Sequence, residues 1–374
     1  MEVEIIKKII ISGYYGFDNL GDEAILAAWC QGLKKFIQSE KIKLIALSDK
    51  PQKTSQQHKI DAIGRYNLLA LIKQLFSADL FISGGGGLLQ DVTGKFSISY
   101  YLILIVLAKI LGCKTFFAAQ GVGPVSSKFN RFLIAIILNQ VEQITVRDRQ
   151  SKQLLLKWGV KKDICVAADL ALSLKEGSKE NGLKLLNQAG ITVDKSIVLG
   201  IVVRKWRQND YLPQLAKLLN YLSEKYNFKL LIIPFKVSSD LKVSYKLKNL
   251  IKQPVQLLQD SYCPLEMIDI IKTLDFLIGI RLHALIFAIL NRVPVAAISY
   301  DPKINNFLAR VNQKAVADIN SLALEQLKEK ITSLWEQKEL LLAKSEKKID
   351  DLAGLSMYNL EIALRLVGIN EAKN

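Results

Sequence analysis

Histidine is scarce in this 374-residue chain, with two, and cysteine is nearly as scarce, with four. Cys30, Cys113, Cys165 and Cys263 stand far apart. They have neither the paired spacing of a zinc site nor the pattern of a disulfide framework, so a reducing cytoplasm is the expected home and no bound metal is expected. Long apolar runs are missing too. The longest, residues 99–111, is interrupted by Lys109 and is too short to span a bilayer. Residues 1–5 carry acids and run straight into an apolar stretch, unlike a secretory signal. The glycines near residue 13 lack both the G-x-G-x-x-G spacing and a following P-loop lysine, which argues against a nucleotide-phosphate cradle there. Basic residues are not interleaved with aromatics as in single-strand binders, so nucleic acid is not an expected partner. No short-period repeat is present.

What the chain does have is an apolar half, moderate charge and a net charge of +16 spread over both halves. Such a chain is globular, too long for one ordinary core and suited to two domains with accessory helices. The positive field favours phosphorylated substrates or an anionic membrane surface.

Short apolar runs alternate with helical periodicity. Strands are expected at residues 5–12, 43–48, 79–83, 115–119, 144–146 and 165–169. After a Gly-, Asn-, Ser- and Lys-rich link they resume at 196–203, 229–234, 255–258, 276–280 and 295–299. Helical segments lie between them, a pattern that builds parallel, doubly wound sheets. The expected architecture is α/β, with two Rossmann-like domains facing across a cleft. Their bounds are 1–174 for the N-terminal domain, 175–195 for the linker, 196–320 for the C-terminal domain and 321–374 for terminal helices.

Chemistry-bearing residues collect where strands end, the edge at which open α/β sheets bind ligands. Arg281-Leu282-His283 sits between a buried strand and an apolar helix. A cation at a helix start opposes the macrodipole unless an anion arrives, and its neighbour is a histidine, the residue type whose ordinary charge change falls near neutrality. Together they suggest acid–base chemistry on an acidic substrate. Asn19 and Asp22 precede a helix as caps or ligand contacts. Gly85 and Gly86 lie in a four-glycine run that lets a ligand approach closely. Gln120, Arg147, Arg204 and Lys303 also stand at or just beyond strand ends, and arginine can hold oxyanions bidentately.

Taken together, the segments Gly13-Tyr14-Tyr15-Gly16-Phe17-Asp18-Asn19-Leu20-Gly21-Asp22-Glu23, residues 83–87 with Gln90-Asp91, Gln120-Gly121-Val122-Gly123-Pro124, Val146-Arg147-Asp148, GIRLHALIFA at 279–288 and ISYDPK at 298–303 resemble the polysaccharide pyruvyl transferase family, in particular its CsaB type. The resemblance implies a fold like that of two-domain GT-B glycosyltransferases and transfer of a pyruvyl group from phosphoenolpyruvate to a sugar as a cyclic ketal. It implies a saccharide acceptor, lipid-linked in the CsaB type, from bacterial cell-wall or exopolysaccharide biosynthesis. Phosphoenolpyruvate would be the donor substrate, with no separate cofactor. The family's essential arginine, histidine and lysine would fall on Arg147, His283 and Lys303, with Arg281 in the same motif. A cytoplasmic protein with peripheral contact at the inner membrane surface would suit such an acceptor. The chain departs from the family after Pro234. There Phe235-Lys236-Val237-Ser238-Ser239-Asp240 replaces a polar, often histidine-containing segment. The rival readings are a GT-B glycosyltransferase using a nucleotide sugar and a non-catalytic saccharide-binding scaffold.

Overall fold

The computed structural model describes residues 6–39, 41–91, 97–193, 196–208 and 210–369. Residues 1–5, read above against a secretory signal, lie outside them. The chain divides into two compact units. One is Met1–Leu174 with Leu352–Asn374, the other Lys175–Asp351.

In the first unit the strands are β1 (Lys7–Tyr15), β2 (Ile42–Ser48), β3 (Asp61–Gly64), β4 (Leu80–Gly84), β5 (Lys114–Gln120), β6 (Gln143–Val146) and β7 (Ile164–Val166). The helices are α1 (Leu20–Gly32), α2 (Lys34–Gln38), α3 (Pro51–His58), α4 (Leu68–Leu75), α5 (Ser97–Ile110), α6 (Lys128–Leu138) and α7 (Arg149–Lys157). The sheet runs β3-β2-β1-β4-β5-β6-β7, every pair parallel. Both faces of a parallel sheet are covered, which is why β1 carries Ile9, Ile10 and Ile11 in a row with no exposure. Leu71 and Leu75 of α4, Ile105 of α5, Ile134 of α6 and Leu155 of α7 belong to one core on a single face. Strand order reverses between β1 and β4, which makes their carboxyl ends the switch point where such sheets take ligands.

In the second unit helices and strands alternate as α8 (Lys179–Gln188), β8 (Val198–Val202), α9 (Leu212–Tyr226), β9 (Lys229–Ile232), α10 (Val237–Leu250), β10 (Val255–Leu257), α11 (Pro264–Lys272) and β11 (Phe276–Gly279). There follow α12 (Leu282–Leu290), β12 (Val295–Ser299), α13 (Pro302–Arg310), β13 (Ala317–Asp318), α14 (Leu324–Glu336) and α15 (Lys338–Leu366). The sheet is β10-β9-β8-β11-β12-β13, parallel throughout, with its switch point between β8 and β11.

Two segments differ from the sequence expectation. The stretch expected as a link carries α8, seated on α11 so closely that a Cβ at Gly177 would meet the Ile268 carbonyl at 2.6 Å and one at Gly182 would strike that of Asp269. Gly177 and Gly182, which read as linker composition, serve close packing. The terminal helices do not form a block of their own. The end of α15 packs in the first unit, where Thr145 Oγ1 hydrogen-bonds Asn359 at 2.6 Å and Ser356 donates to the Asp169 carbonyl at 3.0 Å.

Candidate active site

Each unit presents its candidate residues at its own switch-point edge. In the first, β1 runs into a turn stapled by Glu23, whose carboxylate accepts the Gly16 N–H at 2.7 Å and lies 3.7 Å from His58 Nε2. The Asn19 amide donates to the buried Asp22 carboxylate. Beside them, Gly85 (φ +121°) and Gly86 (φ +64°) turn the chain after β4. A Cβ at Gly86 would sit 2.5 Å from Asp22 Oδ1, so the glycine run closes against the start of α1. Gln120 is fully buried at the end of β5, its amide donating to the Ser83 carbonyl at 2.6 Å and to Ser83 Oγ at 2.9 Å.

Arg147 follows β6 and is nearly buried. Its Nη1 donates to Asp169 at 3.0 Å, its Nε is 3.8 Å from Asp148, and a Cβ at Gly121 would press on the guanidinium at 2.5 Å. Asp148 also caps α7 by accepting the Ser151 N–H at 2.7 Å. Arg147 is thus bound between two aspartates rather than held as a bare cation.

In the second unit Arg204 follows β8, Arg281 and His283 follow β11, and Lys303 follows β12. Since β11 lies between β8 and β12, the histidine's strand is flanked by the strands that deliver Arg204 and Lys303. The Arg204 guanidinium stacks 4.0 Å from the Tyr300 ring centroid, and Lys303 Nζ lies 5.3 Å from the same ring. Among the described residues Arg204 has no carboxylate partner. Among the described residues the carboxylate nearest Lys303 is that of part-exposed Asp301, at 3.5 Å. Arg281, in contrast, is gripped by Asp240: Nε donates to Oδ2 at 2.6 Å and Nη2 to Oδ1. The anion that the helix-start argument demanded comes from within the chain. It lies in the Phe235–Asp240 segment where the sequence departs from its resemblance, and it is fully buried, accepting also from the Lys236 N–H at 2.9 Å. Burial raises the Tyr211 phenol, whose surroundings include Asp240, Arg204 and Arg281; its hydroxyl donates to the Arg204 carbonyl at 2.6 Å. His283 is half-buried in the first turn of α12. Among the described residues no three His, Cys, Asp or Glu side chains gather as a metal site requires.

The family model for polysaccharide pyruvyl transferase matches residues 19–302, most of the chain and both switch-point edges. The chain belongs to this family. No curated protein matches it significantly. Among solved structures it is similar to a glycosyltransferase from Rickettsia africae (TM-score 0.62, 14% identity, covering 98% of this chain and 100% of that one). It is similar also to S. aureus MnaA bound to UDP (TM-score 0.64, 13% identity, 99% and 100%) and to Anabaena HepE in complex with UDP and glucose (TM-score 0.62, 14% identity, 97% and 100%). At such identities the likeness concerns the fold, which is GT-B-like with two parallel-sheet α/β domains.

In this pyruvyl transferase family member, every candidate residue but Lys303 falls inside the matched span, and Lys303 stands one position beyond it. Sequence reasoning missed Arg65. It follows β3, is 8% exposed, and lies among four rings, 4.5 Å from the centroid of Tyr100 and 5.0 Å from that of Phe17, with Tyr66 and Tyr101 beside it. Its Nε and Nη1 are buried without a hydrogen-bond partner, and Nη2 reaches Tyr101 at 3.5 Å. The signal was its place at a strand end, hidden because β3 is four residues long, without an apolar run.

Proposed function

We propose that this transferase moves a pyruvyl group from phosphoenolpyruvate to two hydroxyls of a saccharide, lipid-linked as in CsaB-type members, and releases inorganic phosphate. The observation that carries the reading is the trio on the second sheet: Arg204 and Lys303 over one tyrosine ring, on strands either side of the one leading to His283. A donor bearing a carboxylate and a phosphate needs cations not already committed to buried acids, and Arg204 and Lys303 meet that condition better than Arg147 or Arg281.

His283 protonates C3 of the enol phosphate while a sugar hydroxyl adds to C2 and passes its own proton to His283, which restores the acid. The second hydroxyl then displaces phosphate at C2: the electron pair of the broken C–O bond leaves with the phosphate, which also takes that hydroxyl's proton. General acid–base help of this kind contributes about 10²–10⁴ in rate. Arg204 and Lys303 stabilise the departing phosphate. Arg281, held by Asp240, and Arg147, held by Asp169, order the strand ends of their own units.

The test incubates the full chain with phosphoenolpyruvate or a UDP-sugar across a panel of free and lipid-linked saccharides. Phosphate release that depends on both phosphoenolpyruvate and acceptor, with pyruvate mass added to the product, is the expected result. UDP release with sugar transfer would overturn the reading in favour of a glycosyltransferase, and binding without release of either would make it a saccharide-binding protein.

A further inference from the structure

We propose that the face of the first unit made by α4, α5 and α6 docks on an anionic lipid bilayer. Helices on the outside of a sheet ordinarily turn polar residues to water. Here the outward stripe of α5 is Ile103, Val106 and Ile110, and that of α6 is Phe129, Phe132 and Ile136, at helical spacings of three and four. Ile110 is 74% exposed and Phe129 66%. On α4, Leu69 reaches 83%, and Phe76 just beyond it is also exposed. The inward sides of all three helices share one core, so these stripes lie on neighbouring helices of the same sheet face. An apolar surface of this kind marks an interaction site rather than ordinary solvated scatter.

Charge selects the occupant. The sequences of α4, α5 and α6 contain no Asp or Glu. Lys73 and Lys128 are exposed among the apolar side chains, and Arg131 is half-buried beside them. Apolar side chains interleaved with cations match a bilayer whose headgroups are negative and whose acyl boundary is apolar. A second copy of the chain fits less well, because a two-fold contact would set the same cations against one another with no acid on those helices to neutralise them. The docking stands independently of the reaction proposed above, though it would bring the enzyme to the surface where a lipid-linked acceptor resides.

The experiment sediments the full chain with vesicles of phosphatidylcholine alone or with about one-third phosphatidylglycerol, at low and high salt, alongside light scattering of the free protein. Wild type should bind the anionic vesicles, weaken with salt, and bind neutral ones poorly. Ile103→Asp/Ile110→Asp/Phe132→Asp should lose about ten-fold or more in partitioning. Lys73→Gln/Lys128→Gln should lose about five-fold per lysine. All five replaced side chains are exposed, so unchanged melting temperatures are expected. Absence of binding to anionic vesicles, or binding untouched by the apolar triple variant, overturns the proposal. So does a dimer that the same triple variant dissolves. Neither donor nor acceptor is present, so failure here leaves pyruvyl transfer standing, and failure of turnover leaves docking standing.

Discussion

Asp240→Asn tests whether Arg281 is a substrate cation or a member of an internal ion pair. The aspartate is fully buried, and the arginine side chain is 17% exposed. Two guanidinium bonds and the Lys236 N–H converge on one carboxylate. Removing one partner of a buried pair costs about 3–5 kcal/mol, because the remaining charge stays desolvated. The asparagine keeps one acceptor and Arg281 can draw some water, so about 3 kcal/mol is expected. For a unit of this size that corresponds to a fall of about 6–12 °C in melting temperature. A double-mutant cycle with Arg281→Ala should then return a coupling of about 2 kcal/mol or more, and Arg281→Lys should not restore stability because an ammonium lacks the fork. The assay is thermal and urea unfolding of the full chain. A melting temperature within about 2 °C of wild type, or a coupling below about 0.5 kcal/mol, would refute the pairing argument and return Arg281 to the pool of cations open to the donor.

Other consequences follow from the same geometry. His283→Ala should lower acceptor-dependent phosphate release by about 10²–10⁴ with the melting temperature preserved; near-normal turnover would remove the proposed acid–base. Arg147→Met leaves the buried Asp169 and Asp148 without the cation that each approaches, so a loss of about 3–5 kcal/mol in urea unfolding is expected. Gly86→Ala places a Cβ against Asp22 at a left-handed backbone angle, which should cost about 1–3 kcal/mol, read as a lower urea midpoint. Glu142 is held below the usual glutamate range: burial works against it, but bonds from Lys109 and from the Thr115 N–H and hydroxyl outweigh that. Its folded pKa is depressed, so its stabilisation is present above the unfolded value near 4.3 and lost as pH falls through the folded one. Glu142→Gln should therefore destabilise at pH 7, with the difference from wild type shrinking below about pH 4.

How much of this was legible in the sequence depends on the range of the interaction that decides each feature. Buried parallel strands announce themselves because both faces are covered, and Ile9-Ile10-Ile11 or Phe276-Leu277-Ile278 cannot sit comfortably at a surface. Strand-end residues such as Arg204, His283 and Lys303 follow directly from those runs. The fate of each cation does not. Arg281 is neutralised by a carboxylate 41 positions upstream and Arg147 by one 22 positions downstream, and no periodicity encodes which acid folds back onto which base. A local reading sees an arginine at a helix start and infers a missing anion. That inference was sound, but the anion was already in the chain. The same blindness hid Arg65, whose aromatic surround is assembled from β1's turn, β3's end and α5. Candidate ligand-binding cations are therefore best ranked by subtraction, since every base tied to a buried acid is a scaffold group first. Among the candidate cations read from the sequence, that subtraction leaves Arg204 and Lys303, on the strands flanking His283's, as the pair on which the proposed doubly anionic donor would depend.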